Sequence, residues 1–244
     1  MSRSKCRGAI VAFCGTLIVI GVIVAGVCIG LPWWSCGECE CAAHFDMEVK
    51  TASFSIATQW DGRPVNHSTP VRLSMSKSTD GTGINLEVVA PFYNDPAPSG
   101  PAGSPQSGLW DYEVVEAFFL GSDERYLEVE LCPYGQHLVL RLNGVRNIIE
   151  EGLPLEFLAS IQEDRSSWKG SAIVPLEYLP PGLRGFNAYA IHGTGEQREY
   201  QALYPAERGK HDQPDFHRLE YFKEIAWDGI VDVSSLPVAT SVWK

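Results

Sequence analysis

Short apolar runs with a period of two recur along most of the chain after residue 45, and Gly, Pro, Asn, Asp or Ser separate them. This alternation indicates β-strands joined by turns. No long amphipathic helix lies between the runs, so the pattern predicts a mainly β fold, an antiparallel β-sandwich, rather than an α/β fold. A Pro-, Gly- and Ser-rich stretch at 97–108 predicts a long exposed loop. The predicted strands are residues 54–59, 71–76, 84–90, 111–120, 126–132, 137–142, 171–174, 186–192 and 200–203.

One hairpin, residues 126–142, can be predicted pair by pair. With Tyr134 and Gly135 as a two-residue turn, the leucines and valines of both strands share one apolar face. The predicted pairs are Leu131 with Leu138, Val129 with Leu140, and Leu127 with Leu142. The opposite face, expected to be solvated, would carry Tyr126, Glu128, Glu130, His137 and Arg141.

The strand at 111–120 differs, because apolar residues occupy both of its faces. This composition indicates a central strand that is covered on both sides. Glu116 lies in its middle, and a buried carboxylate is costly unless it is paired. Arg141 is the predicted partner of Glu116, either as a structural ion pair or as part of a ligand clamp.

Residues 8–31 form an uncharged apolar segment of 24 residues. As a helix it would be about 36 Å long, enough to cross a membrane. Basic residues precede it and acidic residues follow it, so the positive-inside rule places the N-terminus in the cytosol and the domain in a lumen or outside the cell. The predicted organisation is a cytosolic N-terminus at 1–7, a transmembrane anchor at 8–34, a Cys-containing linker at 35–46 and a β-sandwich domain at 47–244. A cleaved signal peptide is the alternative.

Charge and cysteine content narrow the function classes. The net charge is −11, which disfavours nucleic-acid binding. Only Cys132 of the seven cysteines lies in the β region, so the domain has no disulfide framework. Cys6 is a candidate for palmitoylation, and Asn66 begins a glycosylation sequon. No residue set predicts a metal site or a bound cofactor.

Five blocks of the sequence carry a family likeness: residues 109–120, 126–140, 186–193, 202–205 and 214–222. Together they resemble an uncharacterised animal protein family that is named after a chromosome 4 open reading frame. The resemblance covers residues 55–225, and members of that family generally lack an N-terminal membrane segment.

A more distant likeness lies in the order of features along the chain. An aspartate is followed by an apolar strand with a glutamate, then by a strand and a tight turn, and later by a Phe-Asn pair. This order is similar to that of family-9 carbohydrate-binding modules and their DOMON-like relatives. That resemblance implies a β-sandwich that binds sugar, since an aromatic ring can stack on a sugar ring while charged groups bind its hydroxyls. On a straight strand, Trp110 and Glu116 would be about 20 Å apart. They can share a ligand only if the chain bends at residues 109–111. The implied ligand-binding residues are Trp110, Glu116, Gln136, Arg141 and Asn187.

The sequence therefore favours a membrane-anchored, non-catalytic binding module for carbohydrate. One alternative is a protein-interaction scaffold that uses a sheet face or the loop at 97–108. Another is a glycoside hydrolase whose acids come from Glu113, Glu116, Glu128 and Glu130. No common catalytic motif for a nucleophilic serine, a phosphate loop, a zinc protease or a dinucleotide is present in the sequence.

Overall fold

The computed structural model describes residues 49–66, 69–236 and 241–243. Within these ranges the chain is built from antiparallel strands and three-residue 3-10 helices. The strands are β1 (Thr51–Ile56), β2 (Thr58–Gln59), β3 (Val71–Lys77), β4 (Gly83–Pro91), β5 (Val114–Leu120), β6 (Arg125–Leu131), β7 (His137–Asn143), β8 (Ile148–Glu151), β9 (Glu156–Ile161), β10 (Ser167–Pro175), β11 (Gly185–His192), β12 (Glu199–Ala202) and β13 (Lys223–Glu224). The 3-10 helices are Leu109–Asp111, Leu176–Tyr178, Gly195–Gln197, Leu219–Tyr221, Val233–Ser235 and Ser241–Trp243.

The strands form two sheets, consistent with a β-sandwich. The smaller sheet has the order β1-β3-β4-β10-β9, and the larger has the order β2-β12-β11-β5-β6-β7-β8, with β13 also paired to β11. One apolar core contains side chains from both sheets, among them Leu86 of β4 and Val129 of β6. A second apolar cluster covers the other face of the larger sheet. We call the core side of the larger sheet its inner face and the other side its outer face.

The predicted strands are confirmed, with shifted ends. The segment predicted at 54–59 is divided between β1 and β2, and the strand predicted to start at 111 starts at Val114 because Leu109–Asp111 is a 3-10 helix. Strands β8 and β9, which both lie at sheet edges, were missed by the pattern. In β9 Phe157 is buried in the core, but an apolar residue on the opposite face interrupts the alternation. Leu158, in the middle of β9, is 74% exposed.

The predicted register of the β6–β7 hairpin is wrong by one residue. Cys132 donates its N–H to the carbonyl of Gln136 over 3.0 Å, so the loop has three residues instead of two. Gly135 closes it with a φ of 95°, as expected for a three-residue hairpin loop with a bulge. The observed pairs are Glu130 with Leu138, Glu128 with Leu140, and Tyr126 with Leu142.

This one-residue shift changes which side chains share a face. Side chains on a strand alternate, so the acidic residues of β6 lie with the leucines of β7, and His137 and Arg141 lie on the inner face. Glu128 and Glu130 are buried, which corrects the expectation that they are solvated. The larger sheet therefore places carboxyl groups on its outer face, inside an apolar cluster.

Within the described ranges, we find no helix with the length and apolar character that a membrane crossing requires. The predicted anchor at 8–34, its flanks at 1–7 and 35–46, and Cys6 lie outside those ranges. Asn66 is described and exposed, whereas the other two residues of its sequon lie outside the described ranges.

Candidate functional site

A cavity of about 320 Å³ opens on the outer face of the larger sheet. We call it the outer-face cavity. Its walls combine aliphatic and aromatic side chains with acidic, basic and imidazole groups. The lining residues are Trp110, Glu116, Glu128, Leu140, Leu142, Arg146, Ile148, Ile191, Tyr200, Pro214, Phe216 and His217.

The cavity is formed between the sheet and residues 203–222, which connect β12 to β13 and which we call the covering segment. Asn187 of β11 holds this segment at two points, because its side-chain amide donates to the carbonyls of Tyr204 and Tyr221 over 3.0 and 3.3 Å. Phe216 of the covering segment stacks on Tyr189 of β11 with ring centroids 3.9 Å apart. These contacts fix one wall of the cavity against the strands.

Trp110 lines the cavity because the chain bends before β5. On a straight strand, Trp110 would lie too far from Glu116 to share a cavity with it. The 3-10 helix Leu109–Asp111 makes this bend, so Trp110 and Glu116 line the same space. Arg198 fastens the bend by donating to the backbone carbonyls of Trp110 and Asp111. The Trp110 residue is 39% exposed, so its indole lies at the rim.

Three glutamates converge behind this rim. Glu116 of β5 is the register partner of Glu130 of β6, and Glu128 lies two residues before Glu130 on the same face. One carboxyl oxygen from each residue lies within 4.8 Å of the others. Glu116 and Glu128 line the cavity, whereas Glu130 is 0% exposed and lies next to them.

Burial disfavours the ionised forms of these carboxyl groups. Desolvation raises the pKa of Glu116 to about 8, although the positive charge of Arg198 opposes the rise. Desolvation likewise raises the pKa of Glu128 and Glu130 well above the usual range, and the neighbouring glutamates add to it. Since like charges in one buried site cannot all ionise freely, burial and mutual repulsion favour the protonated forms of these groups, and a bound cation would favour their ionised forms.

His217 also lines the cavity, and its surroundings favour the neutral imidazole. Burial, together with the nearby charge of Arg146, lowers the pKa of His217 to about 4. Its Nδ1 lies 2.7 Å from the hydroxyl of Tyr126, which also accepts the backbone N–H of Arg146. The Arg146 side chain pairs with Asp215 at 2.7 Å. The wall thus offers an uncharged imidazole and a guanidinium that is anchored from one side.

Arg141 does not pair with Glu116, which corrects the predicted ion pair. It lies on the inner face, where its guanidinium pairs with Glu150 and donates to the carbonyl of Glu177 over 3.1 Å. The guanidinium carbon is also 4.9 Å from the ring centre of Tyr178 and 5.6 Å from that of Trp243. Arg141 is 4% exposed and sealed away from the outer-face cavity.

Gln136 and Asn187, the remaining predicted ligand residues, also lie away from the cavity lining. Gln136 donates to the carbonyl of Gly100 over 2.6 Å and so ties the hairpin to the predicted loop at 97–108. Asn187 is fully buried, and its side-chain amide donates a hydrogen bond to the covering segment. Of the five predicted residues, the structure brings Trp110 and Glu116 together in one cavity.

The other titratable residues singled out in the sequence lie elsewhere. Glu113 accepts the backbone N–H groups of Tyr93 and Asp95 over 3.1 and 3.4 Å, so it holds a loop in place. Burial raises its pKa to about 7. His137 and His192 belong to β7 and β11, which two other strands separate, so these imidazoles do not converge.

Sequence reasoning missed Glu128, Arg146, Tyr200, Phe216 and His217 as cavity residues. Glu128 was expected on this face of the strand, but as a solvated side chain, whereas it is buried. The other four reach the cavity from different strands and loops. The available signal was the family-like block at 214–222, which contains Phe216 and His217.

No family model matches the chain. A solved structure from Bacteroides uniformis, provisionally named as a carbohydrate-binding protein, is similar to this chain with a TM-score of 0.47 and 15% sequence identity. That match covers 72% of this chain and 84% of the other.

Curated relatives are much more similar in sequence. The UPF0462 protein C4orf33 homologue of Danio rerio is 48% identical over 195 residues, which covers 78% of this chain and 96% of the relative. The Mus musculus homologue is 49% identical, covering 73% of this chain and 93% of the relative. The Homo sapiens protein is 45% identical, with 78% and 96% covered. The chain therefore belongs to the UPF0462 family of proteins related to C4orf33.

Proposed function

We propose that this protein is a non-catalytic binding module that takes a small carbohydrate in the outer-face cavity. The observation that carries the proposal is the convergence of a partly exposed indole, Trp110, with two buried carboxyl groups, Glu116 and Glu128, around one cavity. An indole offers a flat apolar surface for the C–H face of a sugar ring. Carboxyl groups accept hydrogen bonds from hydroxyls, and protonated carboxyls can also donate.

The chemistry of the lining selects among ligand classes. Three clustered glutamates disfavour an anionic ligand, because any of these carboxyl groups that ionises would repel it in a partly desolvated site. A purely apolar ligand would leave Glu116 and Glu128 without hydrogen bonds, which is costly. A neutral molecule with both hydroxyls and C–H faces satisfies both requirements, and a sugar is such a molecule.

The size of the cavity limits the ligand. At about 320 Å³, it lies at the lower end of the range of roughly 300–1,000 Å³ that is usual for small-molecule pockets. A mono- or disaccharide end group fits this range better than the middle of a long chain. Arg146 and His217 also line the cavity and can supply hydrogen-bond donors.

A glycan array followed by calorimetry tests the proposal with the full-length protein. We expect binding of at least one glycan class, weakened ten-fold or more by Trp110→Ala and by Glu116→Gln. Leu158→Ala is the control. Leu158 is exposed on an edge strand of the smaller sheet, whereas the cavity lies on the outer face of the larger sheet. Absence of glycan binding, with protein partners retained by the Trp110→Ala variant, would instead support the scaffold alternative.

A second candidate function is glycoside hydrolysis, which the spacing of the carboxyl groups favours. Glu116 and Glu128 line the cavity, and one oxygen of each lies within 4.8 Å of the other. This is compatible with the roughly 5–5.5 Å between the carboxyl groups of retaining enzymes. Release of a chromogenic aglycone that is lost in both Glu116→Gln and Glu128→Gln would establish this activity.

The membrane anchor at 8–34 is part of the same proposal, with the N-terminus in the cytosol and the domain in a lumen or outside the cell. The sequence pattern of residues 8–31 supports it, and the exposed position of Asn66 fits a glycan-bearing site. A gel-mobility shift on enzymatic deglycosylation, absent in Asn66→Gln, is the expected result. An unglycosylated Asn66 with a protease-protected N-terminus would contradict this orientation.

A further inference from the structure

The carboxyl groups of Glu116, Glu128 and Glu130 come from neighbouring strands and meet at one point of the outer face. Strand pairing fixes this arrangement, since Glu116 is in register with Glu130 and Glu128 projects from the same face of β6. One oxygen from each lies within 4.8 Å of the others. The cluster is therefore set by backbone geometry and not by flexible surface side chains.

Glu130 supplies a second and separate observation. It is completely buried, and neither of its carboxyl oxygens has a hydrogen-bond partner among the described residues. The oxygen Oε2 of Glu128 is also buried without a partner in the described part of the chain. Buried polar groups in folded proteins are nearly always paired, so these oxygens point to a missing positively charged partner.

The nearby cationic side chains do not fill that role. Arg146 pairs with Asp215, on the covering segment. Arg198 donates to backbone carbonyls of Trp110 and Asp111. Within the described ranges, neither guanidinium forms a salt bridge with the three glutamates.

We propose that Glu116, Glu128 and Glu130 bind one divalent cation of calcium size at the wall of the outer-face cavity. Hard cations such as Ca²⁺ prefer carboxylate oxygens. Three carboxylates provide three to six oxygen ligands, depending on whether each binds through one or both oxygens. Ca²⁺ takes 6–8 ligands in general, and water or ligand hydroxyls from the cavity complete the shell beside Glu116 and Glu128.

The separation of the oxygens is compatible with one Ca²⁺ ion. Two oxygens on opposite sides of Ca²⁺ are separated by up to about 5 Å, and one oxygen of each glutamate lies within 4.8 Å of the others. Ca²⁺ also tolerates irregular coordination, whereas Mg²⁺ requires a near-ideal octahedron and usually keeps several waters. Three carboxyl groups held by two strands therefore suit Ca²⁺ better than Mg²⁺.

This inference does not depend on the sugar-binding proposal, because cation binding can be measured without any glycan. The probes are Ca²⁺ itself, by calorimetry, and Tb³⁺, by emission that excited tryptophan sensitises. Trp110 lines the same cavity and is a suitable energy donor. Hard ions also avoid the thiol groups of the N-terminal cysteines.

The experiment compares the full-length wild-type protein with Glu130→Gln, Glu128→Gln and the control Glu156→Gln. Glu156 is an exposed glutamate on β9 of the smaller sheet, so its loss removes an equal charge from a strand elsewhere. We expect one Ca²⁺ per chain with a dissociation constant of about 10⁻⁵–10⁻³ M. Binding should weaken at least ten-fold in Glu130→Gln and Glu128→Gln and stay unchanged in Glu156→Gln.

Two results would overturn the proposal. One is wild-type protein that binds neither Ca²⁺ nor Tb³⁺ at millimolar concentration, which would mean that the carboxyl groups are held by protons alone. The other is equal binding by wild type and both cluster variants, which would place the ion elsewhere. Circular dichroism of each variant establishes that it is folded, and Glu128→Gln provides an independent readout if Glu130→Gln does not fold.

Discussion

Arg141 and Glu130 lie on neighbouring strands of one sheet, and both are buried, but their surroundings differ. On the inner face, Arg141 meets Glu150, the carbonyl of Glu177 and two aromatic rings. On the outer face, Glu130 meets Glu116 and Glu128, which carry the same charge when ionised. A protein that buries a charge for structure pairs it, as on the inner face. The buried carboxyl groups of Glu128 and Glu130, which form no salt bridge within the described ranges, are therefore where a ligand is expected.

Buried charge stabilises the fold on the inner face and costs stability on the outer face. Contacts of the inner face hold Trp243, near the C-terminus, and the 3-10 helix Leu176–Tyr178 against the sheet. Glu116, Glu128 and Glu130 fill an apolar cluster with groups that cost free energy to bury. Side chains whose burial costs folding free energy, and which cluster at a cavity, are typical of functional sites.

The largest expected effect is on the inner face. Arg141→Ala should lower the free energy of unfolding by about 2–4 kcal/mol, because a buried, paired guanidinium and its ring contacts are lost. Chemical denaturation of the full-length protein measures this. The matched control is Arg184→Ala, whose pair with Glu224 is largely exposed and should change stability by less than about 1 kcal/mol. Equal effects of the two variants would show that Arg141 is not a structural anchor.

The next effect concerns pH and the neutral imidazole on the outer face. The folded pKa of His217, about 4, is below its unfolded value. The unfolded chain therefore takes up this proton first, and the stability that a neutral His217 provides is lost as the pH falls from 6.5 to 4. Relative to His217→Gln, the wild type should lose about 2–3 kcal/mol between pH 7 and pH 4. Parallel stability curves for the two proteins would contradict the burial of a neutral imidazole.

On the outer face, the sign of the effect should reverse. Glu130→Gln, measured without added cations, should raise the free energy of unfolding by about 1–2 kcal/mol, because a neutral amide replaces an unpaired buried acid. Glu156→Gln should change it by less than about 0.5 kcal/mol. Destabilisation by Glu130→Gln comparable to that of Arg141→Ala would remove the contrast between the two faces.

The smallest effect tests the loop that sets the hairpin register. Gly135 has a φ of 95°, and an added Cβ would lie 2.8 Å from the Cβ of Ala102. Gly135→Ala should lower the free energy of unfolding by about 1–2 kcal/mol. Gly144→Ala is the control, because Gly144 also has a positive φ but open space around it. A smaller cost for Gly135→Ala than for Gly144→Ala would argue against the three-residue loop.

Much of the fold follows from local pattern. Alternation and turn residues identified the strands from β1 to β7, β10, β11 and β12, because each buries an apolar face. The edge strands β8 and β9 were missed because their alternation is weak in the sequence, as in β9, where the exposed Leu158 follows the buried Phe157. The hairpin register could not be read correctly, since a two-residue and a three-residue loop are both compatible with Tyr134 and Gly135.

The site was predicted only where it depends on one local feature. Trp110 and Glu116 share the cavity because of a bend at Leu109–Asp111, which the spacing of these residues demanded for a shared ligand. The predicted partner Arg141 failed because a shift of one residue moves a side chain to the other face of a sheet. Residues of the covering segment reach the cavity through long-range packing, which no local pattern encodes.

A crystal structure of the full-length protein grown with millimolar Ca²⁺ tests the outer-face site most directly. The account predicts one ion bound by Glu116, Glu128 and Glu130 at oxygen distances of about 2.3–2.6 Å, beside an open cavity rimmed by Trp110. The contradicting result is a structure in which these three carboxyl groups are ion-paired with Arg146 or Arg198 and closed off from the cavity.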